Sequence, residues 1–447
     1  MQRCNIRKNT ISMVASILAA WMFGLFSAQA QEMPQYSDSV HLGVASCASS
    51  TCHGATQPVA KNVTIQQNEF ITWQKYDKHA KAYEVLLNDA SKRIAKNLGL
   101  KKPAHEAAIC LDCHADNTTK RGATFQITDG VGCEACHAGG QSWLGVHISS
   151  AGHDANVKAG MYPTEDPTKR AQLCLSCHFG DKNKFVTHRI MGAGHPRMNF
   201  ELDTFTAIQP AHFKVDDDYI DRKRVVSGAQ TWAIGQALAV ATIMDGLADS
   251  KRNHQGLFPE LVFFDCYACH HRMSNIRWSG QSQVGLMPGM VRLNDANLIM
   301  LELLTGVFDE SMGKDVRNKT RKLHAASQTS YGAMGAAAKD LKATATSAAA
   351  MLSSKTFDKA TMLALFNAVK EAGIKGRYVD YAAAEQAAMA LGAISDAMSQ
   401  AGFVTEAQYA ALSGQIAAVF KAVEKDEAYS RSQFRSALKG LQLASAQ

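Results

Sequence analysis

A mainly α chain is predicted, with a cysteine- and histidine-rich domain of long loops followed by an α-helical bundle. Three observations point there. Residues 41–275 hold fifteen of the sixteen histidines and ten of the eleven cysteines, broken by many short Gly/Pro/Asp loops. From about Leu293 onward there is no cysteine, one histidine (His324) and a strong excess of alanine in runs rich in Leu, Lys and Glu. The ten cysteines fall into five pairs, each followed at once by a histidine.

Four pairs have the C-x-x-C-H form: Cys110, Cys113, His114; Cys133, Cys136, His137; Cys174, Cys177, His178; and Cys266, Cys269, His270. The first, Cys47, Cys52, His53, places four residues between the thiols. Two thiols that add across haem vinyl groups fix where the iron sits, so the proximal histidine has to follow directly. A redox CxxC, a zinc site or a disulfide framework also uses paired cysteines, but none requires that histidine five times with no cysteine left over. The expectation is therefore five covalently attached haem c groups. Haems, rather than one aliphatic core, then fill much of the interior of the first domain, which accounts for its long loops and low strand content.

The unpaired Cys4 lies in a segment with Arg3, Arg7 and Lys8, an apolar run over 11–26, and Ala28-Gln29-Ala30. This reads as a cleavable secretory signal over 1–30. The apolar run is shorter than the ~20 residues of a spanning helix, so membrane association is not required after cleavage. Export and covalent haem attachment agree on the periplasm. Removing 1–30 takes away three positive charges, and the formal balance falls from +7 to +4. A bis-histidine ferric haem carries roughly one net negative charge, so the loaded protein is near neutral. No basic run with interleaved aromatics suggests nucleic acid.

The expected domains are 31–278, carrying the haems, and 293–447, an accessory bundle. In the first, a helix is expected over 69–98 with Gly99 as its stop, and a buried helix packing on haem over 228–247. Gln236, Thr242 and Asp245 argue against a membrane span there. A Gly/Pro-containing stretch, 279–289, leads out. In the second, helices are expected near 293–308, 315–353, 357–373, 379–401 and 405–440. Gly373 and Gly402 stand at ends, and Thr405 with Gln408 resembles a capping box.

Eleven histidines remain after the five proximal ones. Their pairing with iron decides between a wire and an enzyme, because two histidines suit electron transfer while an open face binds substrate. His188 and His195 flank Gly192 and Gly194, which allow backbone to approach a flat macrocycle. They are expected as distal ligands of the fourth and fifth haems, in either order. His271, beside a proximal histidine, can reach a neighbouring haem. His212 is a reserve ligand, and His105 and His41 are weaker. Met191 and Met198 stay open as ligands beside the same turn.

The stretches 78–83 (KHAKAY), 130–137 (GVGCEACH) and 193–201 (AGHPRMNFE) resemble the cytochrome c-554 family, kin to the hydroxylamine oxidoreductase superfamily, over about residues 41–275. The resemblance implies that His147 returns to the first haem and His79 reaches the third, giving the axial pairs His53/His147 and His79/His137. His153 is a rival to His147. It also implies that the haem of His114 can be five-coordinate, with an open iron.

The expected function is a periplasmic pentahaem cytochrome passing electrons between donor and acceptor redox proteins through mostly bis-histidine haems. It is a carrier more than a catalyst, and its oligomeric state is left open. The alternative is a multihaem oxidoreductase acting on a small nitrogen or sulfur compound at an open second haem. No CxxCK motif supports it, and Asp112 and Glu106 near that haem fit solvated acids as readily as proton donors. A filament-forming cytochrome is a third class, which the large terminal bundle disfavours.

Overall fold

The computed structural model describes residues 32–57, 66–253, 259–271 and 284–442. The expected signal segment with Cys4 and the first part of the 279–289 connection, 279–283, lie outside them. Among the described residues the protein is mainly α, and the isolated bridges are His41–Arg121 and Phe264–Leu293.

The helix expected over 69–98 is broken. A first piece, Glu69–Tyr76, stops where Asp77 turns extended and its carboxylate accepts from the His79 amide, opening a 3-10 turn, Lys78–Lys81. This competition by an Asp side chain with helix continuation sets His79 on a turn. The Asn88 side chain then caps helix α1 (Asp89–Leu98), which ends at Gly99 with φ +68° as the sequence predicts. Three further helices each end on a motif histidine: α2 (Ala108–His114), α3 (Cys133–His137) and α4 (Pro167–His178). Asp166 caps α4 by accepting from the Thr168 and Lys169 amides, with Pro167 in the first turn, where its missing N–H costs nothing.

After α5 (Leu202–Ile208) comes α6 (Gly228–Ala248), capped by Ser227. A helix apolar all round needs burial on every side. Although α6 is long and apolar enough to cross a membrane, most of it is buried inside this fold. The helices of the C-terminal bundle are α7 (Ala296–Phe308), α8 (Glu310–Ser327), α9 (Tyr331–Ser354), α10 (Lys359–Ile374), α11 (Tyr381–Gln400), α12 (Glu406–Lys421) and α13 (Arg431–Gly440). The spans expected over 315–353 and 405–440 are each two helices, because Ser330 and Ser430 cap new starts. Thr405 and Gln408 do form a capping box. Gly373 is interior: a Cβ there would lie 2.1 Å from Leu438 Cδ1, and the left-handed residue is Gly376 at φ +79°.

Helix α6 packs against α9, α7 and α11 as well as α4 and α5. One apolar cluster runs from Ala171 and Leu175 of α4 through Phe200, Leu202 and Trp232 to the bundle helices. The helix expected to lie on haem is thus the shared spine of both parts. A buried amide ladder crosses the same seam. Asn297 donates to Gln236 at 2.8 Å, Gln236 to Gln386 at 2.7 Å, and Gln386 to the Phe200 carbonyl at 3.1 Å.

Where α5 meets the start of α6, Asp203 is pushed up to about 7, first by burial and then by Glu201, with Arg170 opposing. The proton it holds in the folded state is lost more easily on unfolding. Its contribution to stability is therefore complete below its ordinary value of 3.8 and is lost as pH rises through about 7. Denaturant midpoints should fall between pH 5 and pH 8, and Asp203→Asn should flatten that fall. An unchanged slope in the variant would remove Asp203 as its source.

Candidate haem-binding sites

Each motif forms a turn that sets its two thiols on one side. In the C-x-x-C-H helices the cysteines are three residues apart, neighbours on one helix face. The longer first motif closes differently: the His53 amide donates to the Cys47 carbonyl at 3.2 Å, folding the extra residues into a loop. None of the ten cysteines is in a disulfide. Cys47 lies beside Cys133, and Cys113 beside Cys177. The first motif therefore abuts the third, and the second abuts the fourth.

Every motif histidine meets a second imidazole. Ring centres are 5.9 Å apart for His53 and His147, 6.4 Å for His114 and His195, and 6.4 Å for His137 and His212. They are 6.4 Å apart for His178 and His79, and 6.1 Å for His270 and His188. A metal–imidazole bond is about 2.0–2.1 Å, so two nitrogens sharing one ion stand about 4 Å apart and their ring centres about 6 Å apart. The five spacings fit an iron between each pair.

In five of these ten imidazoles a neighbour holds Nδ1, as ligand histidines require, which leaves Nε2 free. Asp77 Oδ1 accepts from His79 Nδ1 at 2.9 Å, and Glu69 Oε2 from His53 Nδ1 at 3.0 Å. The Ala82 and Pro196 carbonyls accept from His114 at 3.0 Å and His195 at 2.8 Å. The Asn156 amide lies 3.5 Å from His147 Nδ1. Turned so that its buried, unpartnered Oδ1 faces the ring, it accepts that proton. Burial holds the His137 imidazole at about 3 and His178 at about 4, so both present lone pairs at neutral pH. At Asp77, burial opposes ionisation, but hydrogen bonds from His79 and Gln209 outweigh it and bring the carboxyl to about 2.

Other contacts lock the sites into the fold. Glu134, inside the third motif, is buried and accepts from the amides of Leu42 at 2.7 Å, Gly43 at 2.6 Å and Gly140 at 2.6 Å. It pins the first motif's approach to the third. Glu134→Ala is expected to cost several kcal/mol in urea unfolding, taking about 1–3 kcal/mol for each buried amide left without an acceptor. A loss below ~1 kcal/mol would mean that water replaces the carboxylate. Phe200 stacks on His178 at 4.5 Å, and so connects the amide ladder to the fourth motif. At the fifth, Tyr267 donates to the Asp426 carbonyl and packs near Tyr381, while Arg197 pairs with Glu385 at 2.9 Å.

The expected pair His53/His147 is brought together, and His153 is engaged elsewhere, 2.7 Å from Glu165. The expected pair His79/His137 is not. His79 faces His178, because the turn at Asp77 carries it to the fourth motif, and the reserve His212 faces His137. His195 meets His114, where an open face is expected, and His188 meets His270. His105 lies edge-on to Tyr83 at 6.3 Å, His41 is buried on Asp116 at 2.7 Å, and His271 is in none of the five pairs.

Motif turns with paired thiols and a terminal imidazole, in a mainly α fold, define a c-type cytochrome, which binds haem c covalently and works in electron transfer with redox partners. Residues 46–138 match the family model described as cytochrome c554 and c-prime. The chain is 29% identical over 183 residues to cytochrome c-554 of Nitrosomonas europaea, covering 38% of this chain and 68% of that relative. No solved structure matches the chain.

Proposed function

We propose that this chain is a periplasmic pentahaem electron carrier whose five irons are all bis-histidine. The observation that carries the reading is the set of five imidazole pairs at ring-centre spacings of 5.9–6.4 Å, one on each motif. Haem c, when bound, supplies the one-electron couple. His195 closes the face over His114, so the geometry favours a carrier over catalysis at an open second iron.

The contacts between sites support an order of relay. Cys47 touches Cys133, joining the first site to the third. Gln209, three residues before His212, donates to Asp77 at 2.8 Å and so joins the third to the fourth. Cys113 touches Cys177, joining the fourth to the second, and the His188–His195 segment joins the second to the fifth. The route is first, third, fourth, second, fifth, and the terminal sites are where donor and acceptor proteins exchange electrons. Secretion by the expected 1–30 signal places it in the periplasm.

Intact mass of the exported chain, with iron counted per polypeptide, tests the reading. Five covalently added haems are expected on a chain beginning at Gln31, and four or fewer would remove it.

A further inference from the structure

The pair His137/His212 continues into a row of rings. His212 meets Phe213 edge-on at 6.0 Å, and Phe213 stacks on Tyr219 at 5.8 Å. Lys223 Nζ lies 4.8 Å from the centre of the Tyr219 ring. The next residue, Arg224, pairs with Asp166 at 3.9 Å and brings this segment against the start of α4, one turn before Arg170. The Arg170 Nε is buried without a hydrogen-bond partner.

Two half-buried cations therefore converge beside Tyr219, and among the described residues neither has an ion pair. The acids around Lys223 are committed: Glu165 to His153 at 2.7 Å, Asp166 to the α4 cap and Arg224, and Asp218 to Arg222, while Asp203, which Arg170 influences, is pushed up to about 7 by burial and makes no ion pair with it. Charge withdrawn from water without a partner is costly, and a carboxylate from outside the polypeptide removes that cost.

We propose that Arg170 and Lys223 form an anion site for the propionate carboxylates of the haem held between His137 and His212. This rests on the ligand assignment made above. Arg170 acts from the same helix that carries Cys174, so the site would also fix the spacing of the third and fourth haems.

The full-length loaded protein serves for the test, as Arg170→Gln, Lys223→Gln and the charge-keeping Lys223→Arg. Midpoints are resolved haem by haem, and propionate bending modes are followed by resonance Raman. Removing a cation destabilises the more negatively charged reduced state, so each Gln variant should lower the midpoint of one haem and shift its propionate mode, while Lys223→Arg keeps both. Unmoved midpoints, or a uniform fall with unchanged propionate modes, would overturn the contact. His212→Ala separates the two claims: an unchanged low-spin count there would remove the ligand assignment, and this site with it.

Discussion

On the proposed ligation, His195→Ala is expected to convert one low-spin haem to a high-spin, ligand-accessible one. The ring centres of His195 and His114 are 6.4 Å apart, and His195 Nδ1 is held by the Pro196 carbonyl, which leaves Nε2 as its free nitrogen. The His195 turn is itself clamped: Asn97 donates to the Ala193 carbonyl at 3.0 Å, Arg189 to the Leu98 carbonyl at 2.7 Å, and Gly194 sits against Ile94. With the backbone held in this way, loss of the ring leaves a vacant coordination position. Nitric oxide or carbon monoxide should then bind one equivalent per chain, against none in the unsubstituted protein. His153→Ala is the matched control, because His153 is committed to Glu165, and it should leave the spectrum unchanged. If His195→Ala stays fully low-spin and refuses both ligands, another residue ligates the second iron.

Ending the chain after residue 290 is expected to abolish folding of the haem region instead of releasing it as a free domain. Trp232, Ile234, Met244 and Leu247 of α6 are fully buried in the cluster shared with the bundle. Each large apolar side chain returned to water costs about 1.5–3 kcal/mol, and a whole domain is stable by only about 5–15 kcal/mol. Truncation also strands Gln236, whose amide is met by Gln386 and Asn297, and leaves Arg197 without Glu385. Soluble expression with five haems and a cooperative unfolding transition in the truncated chain would show that the bundle is dispensable. Aggregation or proteolysis of α6 is the expected outcome.

The parts of this architecture that depend on local spacing were legible in the sequence. The five motifs, the Gly99 stop, the Thr405 capping box and the apolar α6 are read from neighbours within a few residues, and each stands where expected. Distal ligation was less legible, because a histidine reaches iron from any point in the chain and spacing carries no direction. His79 illustrates this: its place depends on Asp77 breaking a helix whose apolar pattern otherwise runs on. His212 gave little signal, since a Pro-Ala-His-Phe loop is ordinary, and only the fold brings it to His137. The neighbours of α6 were not legible for a related reason, since all-round apolarity says that a helix is buried without saying by what.

Low-temperature electron paramagnetic resonance of the fully ferric protein, with spins counted, tests ligation by paired histidines most directly. Each imidazole acts on one of two iron d orbitals, so nearly parallel rings split that pair and perpendicular rings leave it almost degenerate. His53/His147 at 20° and His188/His270 at 32° should give two rhombic low-spin signals. The pairs at 89°, 78° and 88° should give three strongly anisotropic ones. Five low-spin irons in that ratio, with no high-spin signal, are predicted; a stoichiometric high-spin iron would contradict ligation of every haem by two histidines.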